Sequence, residues 1–171
     1  LATKSATELE EWLSTNNHQA TLSAERLLLL FEVCRRFGEE RLAPGAGFTH
    51  ARDVYQHFRM RFRDVKQEYF LVVLLDIKKR YLGDTLISQG GLHSTSVHPR
   101  EVFAAAVRER AAFVMLVHNH PSGDPAPSQT DLETTRELAQ VGMLMGIPVI
   151  DHVILGEERF ISLRESGQVD L

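Results

Sequence analysis

The stretch that decides the fold is "AFVMLVHNHPSGDPAPSQTD", residues 112–131. Its first part is an apolar run that ends in a histidine and is short enough for a buried strand, which we predict over 112–118. A loop rich in proline and glycine follows. A long helix is then predicted over 128–144, because Ser128 and Asp131 have the spacing of an N-terminal capping box. The stretch therefore predicts a strand, a stiff loop and a capped helix in succession.

Strand and helix signals continue on both sides of this stretch. Short runs of apolar and β-branched residues predict further strands at 69–76, 147–156 and 158–163, and one or two more over 80–92. Segments with one apolar helical face, or with a proline near the first turn, predict helices at 49–62 and 98–111. Strands that alternate with helices predict the α/β class, with a sheet in the middle and helices on both of its faces.

The N-terminal part of the chain is predicted to be helical. "SATELEEWL" (5–13) begins with a capping-box spacing, and a second amphipathic segment follows from about Ser23. "APGAGF" (43–48) holds a proline and two glycines, which favours a linker. We therefore predict two domains, a helical N-terminal region at 1–48 and an α/β domain at 49–171.

Composition and charge limit the classes of function. The chain has 171 residues, is 43% hydrophobic and carries a formal net charge of −4, so no global field draws it to nucleic acid or to a membrane. Residues 22–66 hold nine Lys/Arg against six acids, an excess typical of a solvated helical surface. Cys34 has no second cysteine to pair with. No secretory signal opens the sequence and no apolar run approaches a membrane span, so we expect a cytoplasmic protein.

Two histidines at the end of the predicted strand suggest a metal site. In extended backbone, residues two apart point to the same side, so His118 and His120 can reach one point. Open α/β sheets bind ligands at the carboxyl ends of their strands, and here the loop delivers Asp131 on the first turn of the next helix. Two imidazoles and a carboxylate suit Zn²⁺ and leave the fourth position open, as a catalytic zinc requires.

Each of these features has an ordinary explanation when it is taken alone. A single His-x-His is more often a pair of surface or strand-end histidines. Ser128 and Asp131 alone indicate only a helix cap, and Asp124 in a Gly-Asp-Pro sequence is typical of a turn. The interpretation as a metal site depends on the coincidence of these features within fourteen residues at the end of an apolar strand.

These residues resemble a known family. The pattern His-x-His, seven residues, Ser, two residues, Asp is the JAMM metal motif of the MPN/Mov34 metallopeptidases, and it is met here by His118, His120, Ser128 and Asp131. "HNHPSGDPAPSQTD", "VHPREVF" (97–103) and "GIPVIDHVILG" (146–156) are similar to the RadC-like (UPF0758) branch in particular. The resemblance covers roughly 50–165. It implies a cytidine-deaminase-like three-layer α/β/α sandwich, preceded in this chain by a helical extension.

The resemblance also implies an activity. It implies a zinc-dependent hydrolase, a metallopeptidase or isopeptidase with a peptide or protein substrate, in which His118, His120 and Asp131 bind Zn²⁺. Glu68 in "KQEYFLVVLLD" occupies the place of the family's glutamate base, which accepts a proton from a metal-bound water and passes it to the leaving amine. Ser128 matches the serine that donates a hydrogen bond to the oxyanion.

Two of the candidate residues keep a second interpretation. From the sequence alone, Glu68 is an acid at the head of a buried strand, a position that is usually a solvated strand end. His152 in "IDHVIL" either orients a metal ligand or is a hydrogen-bonded core histidine.

Two other classes of function are weighed against the hydrolase. Some members of the wider family keep the fold and act as non-catalytic protein-interaction modules, although all five motif residues are present here. The RadC branch has also been associated with DNA repair, and a helix-hairpin-helix region often precedes its catalytic domain. In this chain "NNHQATL" (16–22) replaces the glycine-containing hairpin, so binding of nucleic acid has weak support. No membrane partner is expected, and the sequence does not indicate an oligomeric state.

Overall fold

A computed structural model of the chain describes residues 29, 47, 48, 50–90 and 97–171. The helices and the linker predicted over the first 48 residues fall almost entirely outside these residues, so the division into domains 1–48 and 49–171 stays a prediction. All the elements below belong to one compact unit, Arg41–Leu171. In the described part of the chain, no helix is both long and apolar enough to cross a membrane. The cytoplasmic location stays a prediction.

The described residues form helices and strands close to the predicted positions. The helices are α1 (Ala51–Phe58), α2 (Pro99–Arg108) and α3 (Gln129–Met145). The strands are β1 (Tyr69–Leu75), β2 (Tyr81–Gln89), β3 (Phe113–Asn119), β4 (Val149–Leu155) and β5 (Phe160–Ser162). Their order along the chain is α1, β1, β2, α2, β3, α3, β4, β5. The predicted alternation of strands with helices is confirmed.

Helix α1 is shorter than the apolar stripe that predicts it. The sequence places Val54, Phe58 and Phe62 on one helical face, but the helix ends at Phe58. Phe62 lies in the turns that follow, where its backbone N–H donates to the Phe58 carbonyl at 3.2 Å and its ring stacks 6.3 Å from the Phe58 ring. The stripe therefore packs as a unit although its last part is not regular helix.

The described strands form one mixed sheet in the order β2-β1-β3-β4-β5. Only β3 and β4 are parallel; the other neighbouring pairs in this sheet are antiparallel. Helix α3 connects the two parallel strands, so its N-terminus lies near the carboxyl end of β3. This end of the sheet carries the residues that the sequence predicts as a metal site.

Helices cover both faces of the sheet. On one face, alternate residues of β1 and β3 pack with α2 and α3, in a cluster that includes Phe70, Val72, Leu74, Leu116, Phe103 and Leu138. On the other face, the intervening residues pack with α1, in a cluster that includes Leu71, Val73, Val117, Val54 and Phe58. β1 and β3 are buried on both faces, which explains why their sequences are almost continuously apolar and do not alternate. The three-layer α/β/α architecture of the predicted class is confirmed.

Candidate metal centre

Four side chains that the sequence analysis selected come together at the carboxyl end of β3. His118 lies near the end of that strand and His120 follows it, while Asp131 occupies the first turn of α3 and Glu68 directly precedes β1. Each of the four offers one possible metal-ligating atom, and these atoms all lie within 4.8 Å of one another. The convergence that the motif requires is therefore present in the folded chain.

The distances define a compact centre with one open side. His118 Nε2 lies 2.9 Å from His120 Nε2, 3.4 Å from Asp131 Oδ1 and 3.9 Å from Glu68 Oε1. His120 Nε2 lies 3.5 Å from Asp131 Oδ2. The side chains of His118 and Asp131 are buried, whereas those of Glu68 and His120 keep exposed fractions of 23% and 16%. Solvent therefore reaches the centre on the side of Glu68 and His120.

A chain of hydrogen bonds determines which nitrogen of His118 carries a proton. Thr135 Oγ lies 2.5 Å from the Asp131 backbone carbonyl, and because a carbonyl can only accept, the Thr135 hydroxyl donates to it. Thr135 Oγ then accepts from His152 Nδ1–H at 2.6 Å. A neutral His152 has its lone pair on Nε2, which accepts from His118 Nδ1–H at 2.7 Å. His118 Nε2 is therefore unprotonated and directs its lone pair into the centre.

His120 reaches the same state by a shorter route. Its Nδ1 lies 2.7 Å from the backbone carbonyl of Asp124 and must donate to it, so the Nε2 of neutral His120 is also bare. When His120 is neutral, the two bare nitrogens face each other, and the buried Oδ1 of Asp131 has no hydrogen-bond donor among the described residues. Electron-rich atoms that converge without a proton between them repel, and a bound cation removes this repulsion. The donor set, two imidazoles and a carboxylate, fits Zn²⁺.

The protonation of these groups follows from burial and from their neighbours. Burial, reinforced by His152, holds the pKa of His118 well below its ordinary value, and burial lowers the pKa of His152 to about 4. Burial alone would raise the pKa of Asp131, but hydrogen bonds and charges from His120, His118 and Ser128 outweigh it and hold that pKa far below the usual range. Near neutral pH the centre thus combines a neutral His118 with an ionised Asp131, the forms that bind a metal.

His120 is the exception among the three histidines. Its hydrogen bond to Asp131 raises its pKa above the ordinary value, and the partial burial of the ring offsets only part of this rise. The proton and a metal ion would both occupy the Nε2 side of His120, because Nδ1 is engaged with the Asp124 carbonyl. Protons and metal ions therefore compete for this ligand.

Ser128 is the N-cap of α3 and is bound to Asp131 in three ways. Its Oγ accepts from Asp131 N–H at 3.2 Å and donates to Asp131 Oδ2 at 2.7 Å. Its own backbone N–H also donates to Oδ2, at 2.7 Å. These contacts complete the capping box and fix the orientation of the carboxylate. The predicted hydrogen bond from Ser128 to an oxyanion stays a prediction, since here the hydroxyl proton is directed to Asp131.

Two residues of the centre have no signal of their own in the sequence. Thr135 lies one helical turn after Asp131, and Asn119 separates the two candidate histidine ligands. The side chain of Asn119 bonds to the backbone on both sides of Glu68.

His152, predicted either to orient a ligand or to be a core histidine, is fully buried and contacts His118 directly. Asp124 acts as a turn residue, since its Oδ1 accepts from Ala126 N–H at 3.2 Å.

The fold and the donor set together define an α/β domain with a candidate divalent-metal centre. A family model described as the RadC-like JAB domain matches residues 48–168. The chain belongs to this family, and the resemblance to the RadC-like (UPF0758) branch is confirmed.

Several curated relatives carry the name UPF0758 protein. The one from Syntrophotalea carbinolica is 51% identical over 144 residues, which are 84% of this chain and 63% of the relative. The protein from Geobacter sulfurreducens is 48% identical over 86% of this chain and 65% of its own length. The protein from Methanococcoides burtonii is 42% identical over 85% of this chain and 64% of its own length. The chain thus spans less than two thirds of these relatives, and their names state no activity.

Proposed function

We propose that this chain is a zinc-dependent hydrolase that cleaves amide or isopeptide bonds in a peptide or protein substrate. The observation that carries the proposal is the arrangement of Glu68 beside two imidazole Nε2 atoms and an ionised carboxylate, on the side of the centre that solvent reaches. A purely structural zinc site has four protein ligands and no open side, whereas a catalytic site leaves a position for water and substrate. A cytoplasmic location is part of the proposal.

His118, His120 and Asp131 would hold the metal. A zinc ion bound by them supplies Lewis acidity, which makes water a stronger acid and polarises the substrate carbonyl. The protein's own contribution is to keep the imidazole tautomers, the carboxylate orientation and the open side in place before the substrate arrives. The hydrogen bond that His118 donates to His152 and the hydrogen bond that Ser128 donates to Asp131 perform this task.

Glu68 would move the proton. Its Oε1 lies 3.9 Å from His118 Nε2, and its partly exposed carboxylate borders the open side of the centre. Water that attacks the carbonyl carbon gives up one proton to Glu68, and Glu68 returns that proton to the amine when the C–N bond breaks. Proton transfer of this kind is worth roughly 10²–10⁴ in rate. Ser128, which is hydrogen-bonded to Asp131, is the proposed donor to the carbonyl oxygen of the substrate, as the family resemblance implies.

The proposal is tested by metal analysis combined with a peptide-cleavage assay. We expect the purified protein to bind one zinc ion, His118→Ala to abolish this binding, and Glu68→Gln to keep the metal while it abolishes cleavage of an internally quenched peptide library. Protein that binds no zinc under any condition would overturn the proposal. If zinc binds but no peptide or isopeptide is cleaved, while Glu68→Gln leaves the capture of partner proteins intact, the non-catalytic interaction module is the better description.

A further inference from the structure

We propose that Asn119 is a positioning residue that fixes Glu68 at the metal centre through the backbone of its two neighbours. The inference rests on the proposed function, because that function gives Glu68 its role. Asn119 lies between the two histidine ligands, at the end of β3, and only 3% of its surface is exposed. A buried primary amide needs partners for both its oxygen and its nitrogen.

The partners of the Asn119 amide flank Glu68 on both sides. Asn119 Oδ1 accepts a hydrogen bond from Tyr69 N–H at 2.8 Å, and Asn119 Nδ2 donates to the Gln67 carbonyl at 3.0 Å. One side chain therefore holds the peptide groups immediately before and after the proposed base. Only a primary amide offers an acceptor and a donor side by side in this way. The Glu68 carbonyl accepts from Gly90 N–H at 2.8 Å, on the side of β2.

The strand register shows where the two Asn119 side-chain bonds, together called the Asn119 clamp, act. The antiparallel ladder between β1 and β3 ends at the pair Phe70–His118. Continued outward, the same register places Tyr69 opposite Asn119 and Glu68 opposite His120. The two Asn119 side-chain bonds act at this end of the ladder. They extend the alignment of the two strands by the residues that carry the base and the second histidine ligand.

The consequence is a fixed distance between the base and the metal ligands. Glu68 Oε1 lies 3.9 Å from His118 Nε2, and Glu68 is one of the two partly exposed members of the centre. Without the Asn119 bonds, the backbone on either side of Glu68 loses two hydrogen bonds to β3 and is freer to move away from that strand. A displacement of about 1 Å at a catalytic group can cost on the order of 10²-fold in rate. The side chain between the two histidine ligands thus acts on the position of the base.

The test compares Asn119→Ser with a matched control at Gln89. Serine is too short to reach both backbone groups, so the clamp is lost without a large change in volume. Gln89 Nε2 contacts the same two neighbours through their side chains, the Gln67 amide oxygen at 2.7 Å and the Tyr69 hydroxyl at 3.0 Å. Gln89→Leu therefore removes amide contacts to Gln67 and Tyr69 but leaves their backbone bonded to Asn119.

Three measurements on each variant separate positioning from general structure. For Asn119→Ser we expect one bound zinc ion, as in the wild type, and hydrogen exchange at the Tyr69 amide that is at least about tenfold faster. On a library peptide whose cleavage requires Glu68, we expect kcat to fall by about 10²-fold with KM nearly unchanged. Gln89→Leu should leave all three quantities close to wild type.

The outcomes that overturn the inference are equally specific. If hydrogen exchange at the Tyr69 amide is unchanged in Asn119→Ser, the Asn119 bonds do not hold this segment and the inference is wrong. If zinc binding is lost in parallel with kcat, Asn119 acts on the metal ligands and not on Glu68. If Asn119→Ser does not fold, Asn119→Asp replaces it, because aspartate keeps the acceptor for Tyr69 and loses the donor to Gln67. If the wild type cleaves no peptide, the exchange measurement still decides the clamp, and only the proposed function fails.

Discussion

His118 Nδ1 lies 2.7 Å from His152 Nε2, and this contact joins two histidines from parallel neighbouring strands. Through Thr135 the hydrogen-bond chain continues to the backbone carbonyl of Asp131, whose side chain faces His118 Nε2 at 3.4 Å. His118 and Asp131 are thus connected in two ways, by the direct contact across the centre and by the hydrogen bonds that run through His152 and Thr135. Because the Asp131 carbonyl can only accept, it sets the donor and the acceptor of every hydrogen bond in this series.

Removal of the Thr135 hydroxyl should weaken zinc binding. Valine nearly matches threonine in shape but cannot accept from His152 Nδ1–H, so Thr135→Val releases the tautomer of His152 and with it that of His118. We expect the Kd for zinc to rise about 10–100-fold, measured by competition with a chromophoric chelator. Thr134→Val is the matched control, since Thr134 takes no part in this chain. Equal affinities for the two variants would contradict the argument.

The metal-free protein should lose stability as the pH falls from about 6.5 to 4. The pKa of buried His152 is lowered to about 4 in the folded state, whereas in the unfolded chain it has its ordinary value near 6.5. Between these values the unfolded state binds the extra proton, so the free energy of unfolding rises with pH. The span corresponds to about 3 kcal/mol at most.

Urea unfolding of chelator-treated protein across that range measures this effect. His152→Gln retains a donor and an acceptor but does not titrate, so its free energy of unfolding should depend less on pH than that of the wild type. His118, whose pKa is also lowered, leaves part of the dependence in place. A wild-type stability that is flat from pH 6.5 to pH 4 would show that these histidines are not held neutral.

Zinc affinity should decrease as the pH is lowered, because a proton competes with the metal ion for His120. The hydrogen bond to Asp131 raises the pKa of His120 in the metal-free protein, so the Nε2 position keeps a proton to a higher pH than usual. A metal ion must displace that proton. Below the raised pKa we expect the apparent affinity to fall about tenfold for each pH unit, as one displaced proton requires. Competition titrations corrected for the chelator's own pH dependence test this, and an affinity independent of pH would refute it.

A methyl group at position 156 should disturb the centre from a distance. A Cβ at Gly156 would lie 2.4 Å from the Gly123 carbonyl and 2.7 Å from Pro125 Cδ, in the loop that also provides the Asp124 carbonyl to His120. Gly156→Ala therefore pushes this loop outward. Overpacking of this kind costs about 1–3 kcal/mol, so we expect a lower Tm together with weaker zinc binding.

The control for this substitution is Gly83→Ala in β2. A Cβ at Gly83 meets no heavy atom within 4 Å, so the added methyl group has room. Calorimetry and zinc competition should give values near wild type for Gly83→Ala and lowered values for Gly156→Ala. If the two substitutions have the same effect, close packing at Gly156 does not determine the position of the loop.

The sequence predicted most of the fold because the central strands β1 and β3 are buried on both faces. The continuous apolar runs of β1 and β3 could hardly be anything else, and the capping box at Ser128 located the start of α3. The strand directions were not predictable in the same way. That β3 and β4 form the parallel pair in the described sheet depends on the path of α3 across it, which local sequence does not specify.

The convergence of the candidate metal ligands was predictable from spacing, and the residues that orient them were not. His118 and His120 lie two residues apart in the sequence, and Asp131 follows at the spacing that the motif requires. Thr135 is an ordinary helix residue until the structure places its hydroxyl against His152, and Asn119 bonds to a strand segment about fifty residues away. Contacts between distant segments leave no periodicity that a sequence can display.

The segment from β3 through α3 to β4 carries the three candidate ligands and the residues that orient them, whereas Glu68 lies just before β1 on a separate segment. Under the proposed function, holding the ion and moving the proton therefore fall to different segments of the chain. A single substitution at position 68 would leave the proposed metal site in place and remove the proposed base. The proposed hydrolase is thus one evolutionary step from a metal-binding scaffold.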